Sequence, residues 1–224
     1  MFRLFWSRRL KHRWEALPGP IWFSATQIYK RQVERARNRS VFVEVGAWKG
    51  RSALFMAVEI ANSGKKIEFY SVDHWLGSDE TAHDGDEDVT AGRLYETFLA
   101  NIEPVKNYVR PIRGHSVDVA RQFPDGSLDF IYLDAGHTYL DLKADLEAWW
   151  PKLKANCDIA GDDWCFDDEK RNELGVQRAV KEFFSARGEA ITVEPGQPNP
   201  EWLQWVVTKR VHGSEPQRLS FNSY

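Results

Sequence analysis

The chain has 224 residues, a formal net charge of −3 and a sequence pI of about 6.1, enough for one domain with a sizeable core and too acidic overall for a polyanion binder. Its two cysteines, Cys157 and Cys165, form neither a disulfide framework nor a zinc site and point to a reducing, cytoplasmic setting. No apolar run is long enough to span a bilayer, and no signal peptide with a clean apolar core is visible.

Residues 1–19 mix bases with aromatics: Arg3, Arg8, Arg9, Lys11 and Arg13 against Phe2, Phe5, Trp6 and Trp14. As a helix this segment is only roughly amphipathic, because Arg9 and Arg13 intrude on the apolar side. It suits packing on the domain or on a second subunit (a homo-oligomer) better than a weak membrane-surface contact. Pro18-Gly19-Pro20 breaks the chain, and residues 21–37 read as a helix. Residues 1–38 thus form an N-terminal extension, 39–212 the main domain and 213–224 a flexible tail.

From Val41 the pattern alternates. Strands are predicted at 41–46, 67–73, 108–113, 127–133 and 157–161, with helices at 51–62, 91–101, 116–122, 138–150 and 170–187. That succession gives an α/β fold with a mostly parallel sheet and helices on both faces. Two last strands, near 190–194 and 202–208, flank Pro195-Gly-Gln-Pro-Asn-Pro200, a loop suited to an antiparallel terminal hairpin.

The first strand runs into Gly46 and a turn, Glu44-Val-Gly-Ala-Trp-Lys-Gly50, before a helix begins near Ser52. In an open parallel sheet such a turn lies at the carboxyl edge, where ligands bind. It is not the dinucleotide fingerprint, since Trp48 replaces the second glycine. Nor is it a P-loop, being one residue short with Arg51 in place of lysine. Asp73 ends the second strand, where a carboxylate can accept from both ribose hydroxyls or simply cap a turn. The acidic stretch 79–88 fails as a calcium loop, because Val89 and Tyr95 stand where glycine and a bidentate glutamate are needed. A solvated, mobile loop over the site is the better reading.

Leu128-Asp-Phe-Ile-Tyr-Leu-Asp134-Ala-Gly-His137 and Gly161-Asp162-Asp163 end neighbouring strands and bring three carboxylates and a histidine to one edge. Carboxylates so crowded raise one another's pKa unless a cation sits among them, and oxygen donors suit Mg2+, Mn2+ or Ca2+. A histidine there can take a proton from a hydroxyl. Singly, each residue has a plainer role, Asp134 as a helix cap and Asp162-Asp163 as a solvated turn.

Glu44-x-Gly46-x-x-x-Gly50, Asp73, Asp134-x-x-His137, the helix Asp141-Leu-Lys-Ala-Asp-Leu-Glu-Ala-Trp-Trp150 and Ile159-Ala-Gly-Asp-Asp163 resemble the small metal-dependent O-methyltransferases of the class I, Rossmann-like S-adenosylmethionine-dependent fold. That group includes enzymes that methylate sugars on antibiotics. The resemblance implies a seven-stranded sheet and S-adenosyl-L-methionine held by Glu44, Gly46, Gly50, Ser52, Asp73, His74 and Asp134, with Gly114, His115 and Ser116 beside the adenine. It also implies a divalent cation (Mg2+ or Mn2+) on Asp134, Asp162 and Asp163, His137 as general base, and a small-molecule or glycan acceptor rather than nucleic acid. One departure is Lys154-Ala-Asn-Cys-Asp158, which lacks the usual glycines. The alternative is a non-catalytic binding or scaffold protein of the same fold.

Overall fold

The computed structural model of the chain describes residues 9–78, 83, 85–165 and 174–211. Seven strands form one sheet in the order β3-β2-β1-β4-β5-β7-β6. They are β1 (Val41–Val45), β2 (Glu68–Asp73), β3 (Arg110–Arg113), β4 (Leu128–Leu133), β5 (Leu153–Gly161), β6 (Ile191–Pro195) and β7 (Leu203–Thr208). All pair in parallel from β3 to β5, and β7 runs antiparallel to both β5 and β6. The strand order reverses between β1 and β4, so the ends of β1, β2, β4 and β5 converge on one edge.

Helices cover both faces: α1 (Thr26–Arg35), α2 (Arg51–Ser63), α3 (Glu87–Thr90), α4 (Leu94–Ile102), α5 (Ser116–Ala120), α6 (Tyr139–Trp149) and α7 (Gly175–Ser185). Strand alternation sends Phe42, Phe130 and Tyr132 into one core with α1, α2 and α4. Val43, Val45, Ile131 and Leu133 enter the other, under α6 and α7. Glu44 shares the first face, where burial of a carboxylate requires partners. Tyr29 on α1 and Ser71 on β2 both donate to it at 2.9 Å.

The N-terminal expectation is corrected. Residues 9–13 form no helix, and a single 3-10 turn, Trp14–Ala16, precedes an irregular strap. The strap lies on α2: Leu10 and Asn62 exchange hydrogen bonds at 2.7 and 2.9 Å, and Trp14 is buried against Phe23 and Phe55. The Arg51 guanidinium donates to the carbonyls of Trp14, Leu17 and Gly19 at 2.5, 2.8 and 3.1 Å. Helix α1 begins at Thr26 rather than at residue 21, because Ser24 and Ala25 pair with Gln197 across the molecule instead. The expected helix at 91–101 is α4, preceded by the short α3 that Asp86 caps. Residues 1–8, the acidic positions 79–82 and 84, the start of the helix expected at 170–187, and the tail from 212 lie outside the described residues. Among the described residues no helix is long and apolar enough to cross a membrane.

The turn expected before the fifth strand lies within β5, which begins at Leu153 rather than at 157, and its missing glycines have a local substitute. Asn156 adopts φ 59° within a bulge that shifts the β4–β5 register, and asparagine tolerates that left-handed conformation.

Gly46 is the tightest point of the sheet edge. Its φ is +91°, and a Cβ there would overlap the carbonyl of Asp134. Gly64 shares the positive φ, +67°, but a Cβ there meets open space. Gly46→Ala should therefore cost about 3 kcal/mol or more in urea unfolding. Gly64→Ala should lose only the conformational term of about 1 kcal/mol. Equal losses in the two variants would contradict the close approach of β1 and β4.

Candidate active site at the carboxyl edge

The turn Gly46–Gly50 is fastened by one carboxylate. Asp73 Oδ2 accepts the backbone N–H groups of Ala47 and Trp48, both at 2.9 Å, and its Oδ1 accepts that of Trp75 at 2.7 Å. These bonds offset left-handed backbone at Trp48 (φ 46°) and Trp75 (φ 53°), worth about 1–2 kcal/mol each for residues with a Cβ. The Trp75 indole closes the arrangement by donating to the Trp48 carbonyl at 2.9 Å. Asp73 is thus a turn-capping residue and a cavity-facing acceptor at once.

At the other end lie the residues that follow β4 and β5. Asp134, His137 and Asp163 offer donor atoms that all lie within 4.8 Å of one another. His137 Nε2 is 2.8 Å from Asp163 Oδ2 and 3.6 Å from Asp134 Oδ1. Asp162 stands behind this group: its Oδ2 accepts from Ser24 Oγ at 3.1 Å, and its Oδ1 from the backbone of Asp163 at 2.9 Å. Gln204 Nε2 in turn donates to Ser24 Oγ at 2.6 Å. Burial, then the charges of Asp134 and Asp163, holds the Asp162 carboxyl well above the ordinary range. Burial works the same way on Asp163, but the charge and hydrogen bond of His137 prevail and lower it. The group so placed is Asp134, His137 and Asp163, with Asp162 behind it rather than among the three, and the crowding of acids calls for positive charge.

Between the two ends runs a cavity of about 660 Å3, within the range of small-molecule sites. Gly46, Ser52, Asp73, His74, Gly114, His115, Ser116, Asp134, His137, Asp162 and Asp163 all line it. Two of the residues singled out in the sequence do not. Glu44 lies beneath the floor, held by Tyr29 and Ser71, and Gly50 faces α4, where a Cβ would meet Phe98 at 2.8 Å. At the mouth, Trp48 stacks on His83 with centroids 4.0 Å apart, and Trp22 from the strap packs on both at 5.8 and 5.4 Å. Among the described residues of the acidic run nearby, Asp86 and Asp88 pair with Lys49 at 2.7 and 2.8 Å.

A family model described as a methyltransferase domain matches residues 43–164, more than half of the chain. The chain belongs to this methyltransferase family. The methyltransferase is similar in fold to the O-methyltransferase NovP, with a TM-score of 0.60 at 17% identity over 83% of this chain and 79% of that one. It is also similar to an O-methyltransferase from Bacillus cereus solved in complex with SAH (TM-score 0.55, 17% identity, 82% and 78% coverage). A third is an S-adenosylmethionine-dependent O-methyltransferase from Thermotoga maritima, with a TM-score of 0.58 at 12% identity over 89% and 70% of the chains. An uncharacterised protein of Sinorhizobium fredii is 29% identical over 111 residues, which are 50% of this chain and 12% of that protein. The chain thus carries a methyltransferase domain by family and has a fold like that of small O-methyltransferases.

Several contributors to the methyltransferase's site carry no sequence motif. Ser24 and Gln204 are 180 residues apart, and their joint hold on Asp162 is purely a product of folding. Trp22 and His83 reach the mouth from segments with no periodic signal.

Burial lifts Glu44 from its ordinary 4.5 to about 7, against hydrogen bonds from Ser52, Ser71 and Tyr29. Between those values the native state keeps a proton that the unfolded chain has released. The residue's contribution therefore falls as pH rises through the window, by about 3 kcal/mol at ~1.4 kcal/mol per pH unit. Glu44→Gln should remove that loss. Relative to wild type, its urea-unfolding stability should rise progressively from about pH 4.5 to about pH 7. Parallel pH profiles would contradict a buried, titrating Glu44.

Proposed function

We propose that the chain transfers the methyl group of S-adenosyl-L-methionine to a hydroxyl oxygen of a small molecule or sugar. Asp134, Asp162 and Asp163 would hold a divalent cation, and His137 would act as general base. The observation that carries this reading is one cavity with a ribose-type acceptor, Asp73, at one end and the Asp134, His137 and Asp163 donor group at the other.

S-adenosyl-L-methionine supplies an electrophilic methyl on a sulfonium sulfur, and Mg2+ or Mn2+ supplies Lewis acidity that lowers the pKa of an acceptor hydroxyl. The chain's own residues do the rest. Asp73 keeps lone pairs for the ribose hydroxyls beside those it gives the turn. The turn amides hold the backbone against the sheet edge, so the reacting groups meet in line, and positioning of this kind is worth about 7–11 kcal/mol. Asp163 Oδ2, 2.8 Å from His137 Nε2, accepts the N–H there and orients the ring, so a proton taken from the acceptor would settle on Nδ1 and the carboxylate would stabilise the imidazolium. Asp162, whose carboxyl burial and the neighbouring acids push up, would be drawn to a cation held beside it as a further ligand. The Trp22, Trp48 and His83 surfaces at the mouth support a ring-bearing acceptor, against which aromatic faces pack well.

A mass-shift screen against sugars, phenols and other vicinal diols, run with excess EDTA and with added Mg2+ or Mn2+, tests the reading. Turnover should vanish in EDTA and return with metal. His137→Ala should lower kcat by about 10²–10⁴-fold with cofactor affinity essentially unchanged. Full turnover in EDTA would remove the cation. A folded protein that binds cofactor and methylates nothing would favour a non-catalytic role for the same fold.

A further inference from the structure

The net charge of −3 averages over an uneven surface. Residues 1–13, 30–39 and 59–66 together hold twelve Lys and Arg against two acids, Glu34 and Glu59. The fold gathers these segments at one edge. Leu10 is held by Asn62 on the last turn of α2, and His12 Nε2 lies 2.6 Å from Glu59 Oε1. Helix α2 runs on into Lys65 and Lys66. There the Lys66 carbonyl accepts from the Arg39 N–H at 2.6 Å, and Asn38 Oδ1 accepts from the Lys66 N–H at 2.8 Å.

Some of these bases are committed within the fold. Lys65 donates to the carbonyls of Val33 and Glu34, both at 2.7 Å, while Arg31 pairs with Glu194 and Arg35 with Asp158. Six others, Arg9, Lys11, Arg13, Arg37, Arg39 and Lys66, are exposed, and among the described residues none pairs with a carboxylate. Arg39 carries its side chain on left-handed backbone, φ 72°, where glycine would be freer. Like charges gathered on one edge repel one another, and a surface of opposite sign relieves them.

Apolar side chains accompany the charge. Leu10, between Arg9 and Lys11, is 42% exposed, and the chain leading into it carries Leu4, Phe5 and Trp6 between Arg3 and Arg8. Cations interleaved with leucine and aromatics suit a bilayer surface, where the charges meet anionic headgroups and the apolar groups enter the interface. A nucleic-acid backbone would use the charges and leave the aliphatic groups in water. We propose that this edge docks the chain on the surface of an anionic phospholipid bilayer, with the six cations against the headgroups and Leu10 in the interface. Arg37 and Arg39 precede β1 and Lys66 precedes β2, so the docking edge is the amino edge of the sheet. The cavity opens at the opposite, carboxyl edge, and its mouth stays clear of the bilayer.

Sedimentation of the full-length chain with lipid vesicles tests the docking. The chain should bind vesicles of equal parts phosphatidylglycerol and phosphatidylcholine at low salt and release them as salt rises. It should not bind vesicles of phosphatidylcholine alone. Reversing three charges together, Arg37→Glu, Arg39→Glu and Lys66→Glu, should weaken the partition by about 100-fold or more. Reversing Lys143, Arg178 and Lys181 to Glu, on α6 and α7 across the sheet, changes the net charge equally and should weaken it far less. The wild-type comparison needs no variant. No sedimentation of wild type with the anionic vesicles, equal binding to both vesicle types, or equal losses in the two variants would overturn the proposal. Tighter salt-dependent binding to duplex DNA than to the vesicles would overturn it too and make the edge a nucleic-acid surface.

Discussion

One carboxylate, Asp73, fixes the geometry on which the site depends. Its two oxygens gather three backbone N–H groups, from Ala47, Trp48 and Trp75, and so tie the end of β2 to the turn after β1. Without that anchor two tryptophans would not hold left-handed backbone, and the turn would lose its shape. The same residue faces the cavity. A ligand that engages it therefore meets a group already oriented by the fold, with little ordering left to do on binding.

The acid end is built on the opposite principle. Its groups repel one another, and the fold restrains them rather than relaxing them. Ser24 and Gln204 hold Asp162, while His137 steadies Asp163. Asp163 itself adopts φ 58°, so backbone strain and like charge are stored in one place. The strap that supplies Ser24 and Trp22 is fastened by Arg51 at the start of α2, next to the turn. The glycine turn, the aromatic mouth of the cavity and the acid cluster are in this way coupled through one short segment.

The strands and most helices were legible in the sequence because each carries its own period. Val41–Val45 and Leu128–Leu133 match their predicted spans to within one residue. The placement of the strand-end carboxylates was legible for the same reason, since a carboxylate that follows a buried strand at a parallel edge has few other places to be. The strap was not. Its aromatics suggest a helix, yet its conformation is set by Asn62, Glu59 and Arg51 on α2 and by Gln197 near the hairpin, none of them sequence neighbours. Asp145 was hidden in a helical repeat that reads as ordinary. Only the hydrogen bond from Ser116, 29 residues away, whose hydroxyl in turn accepts from the Trp149 indole, places it at the cavity.

The central claim is that the edge around Asp73 is a preformed cofactor site. Its most direct measurement is a calorimetric titration of the full-length chain with S-adenosyl-L-methionine, wild type beside Asp73→Asn. Asparagine keeps one oxygen for the turn, loses the charge that draws the ribose hydroxyls and sets its amide nitrogen against a backbone N–H, so the turn loosens as well. Wild type should bind with a single site, and the variant, still folded, should bind about 10–100-fold more weakly. A folded wild type that shows no binding at millimolar cofactor, or a variant of unchanged affinity, would contradict the account.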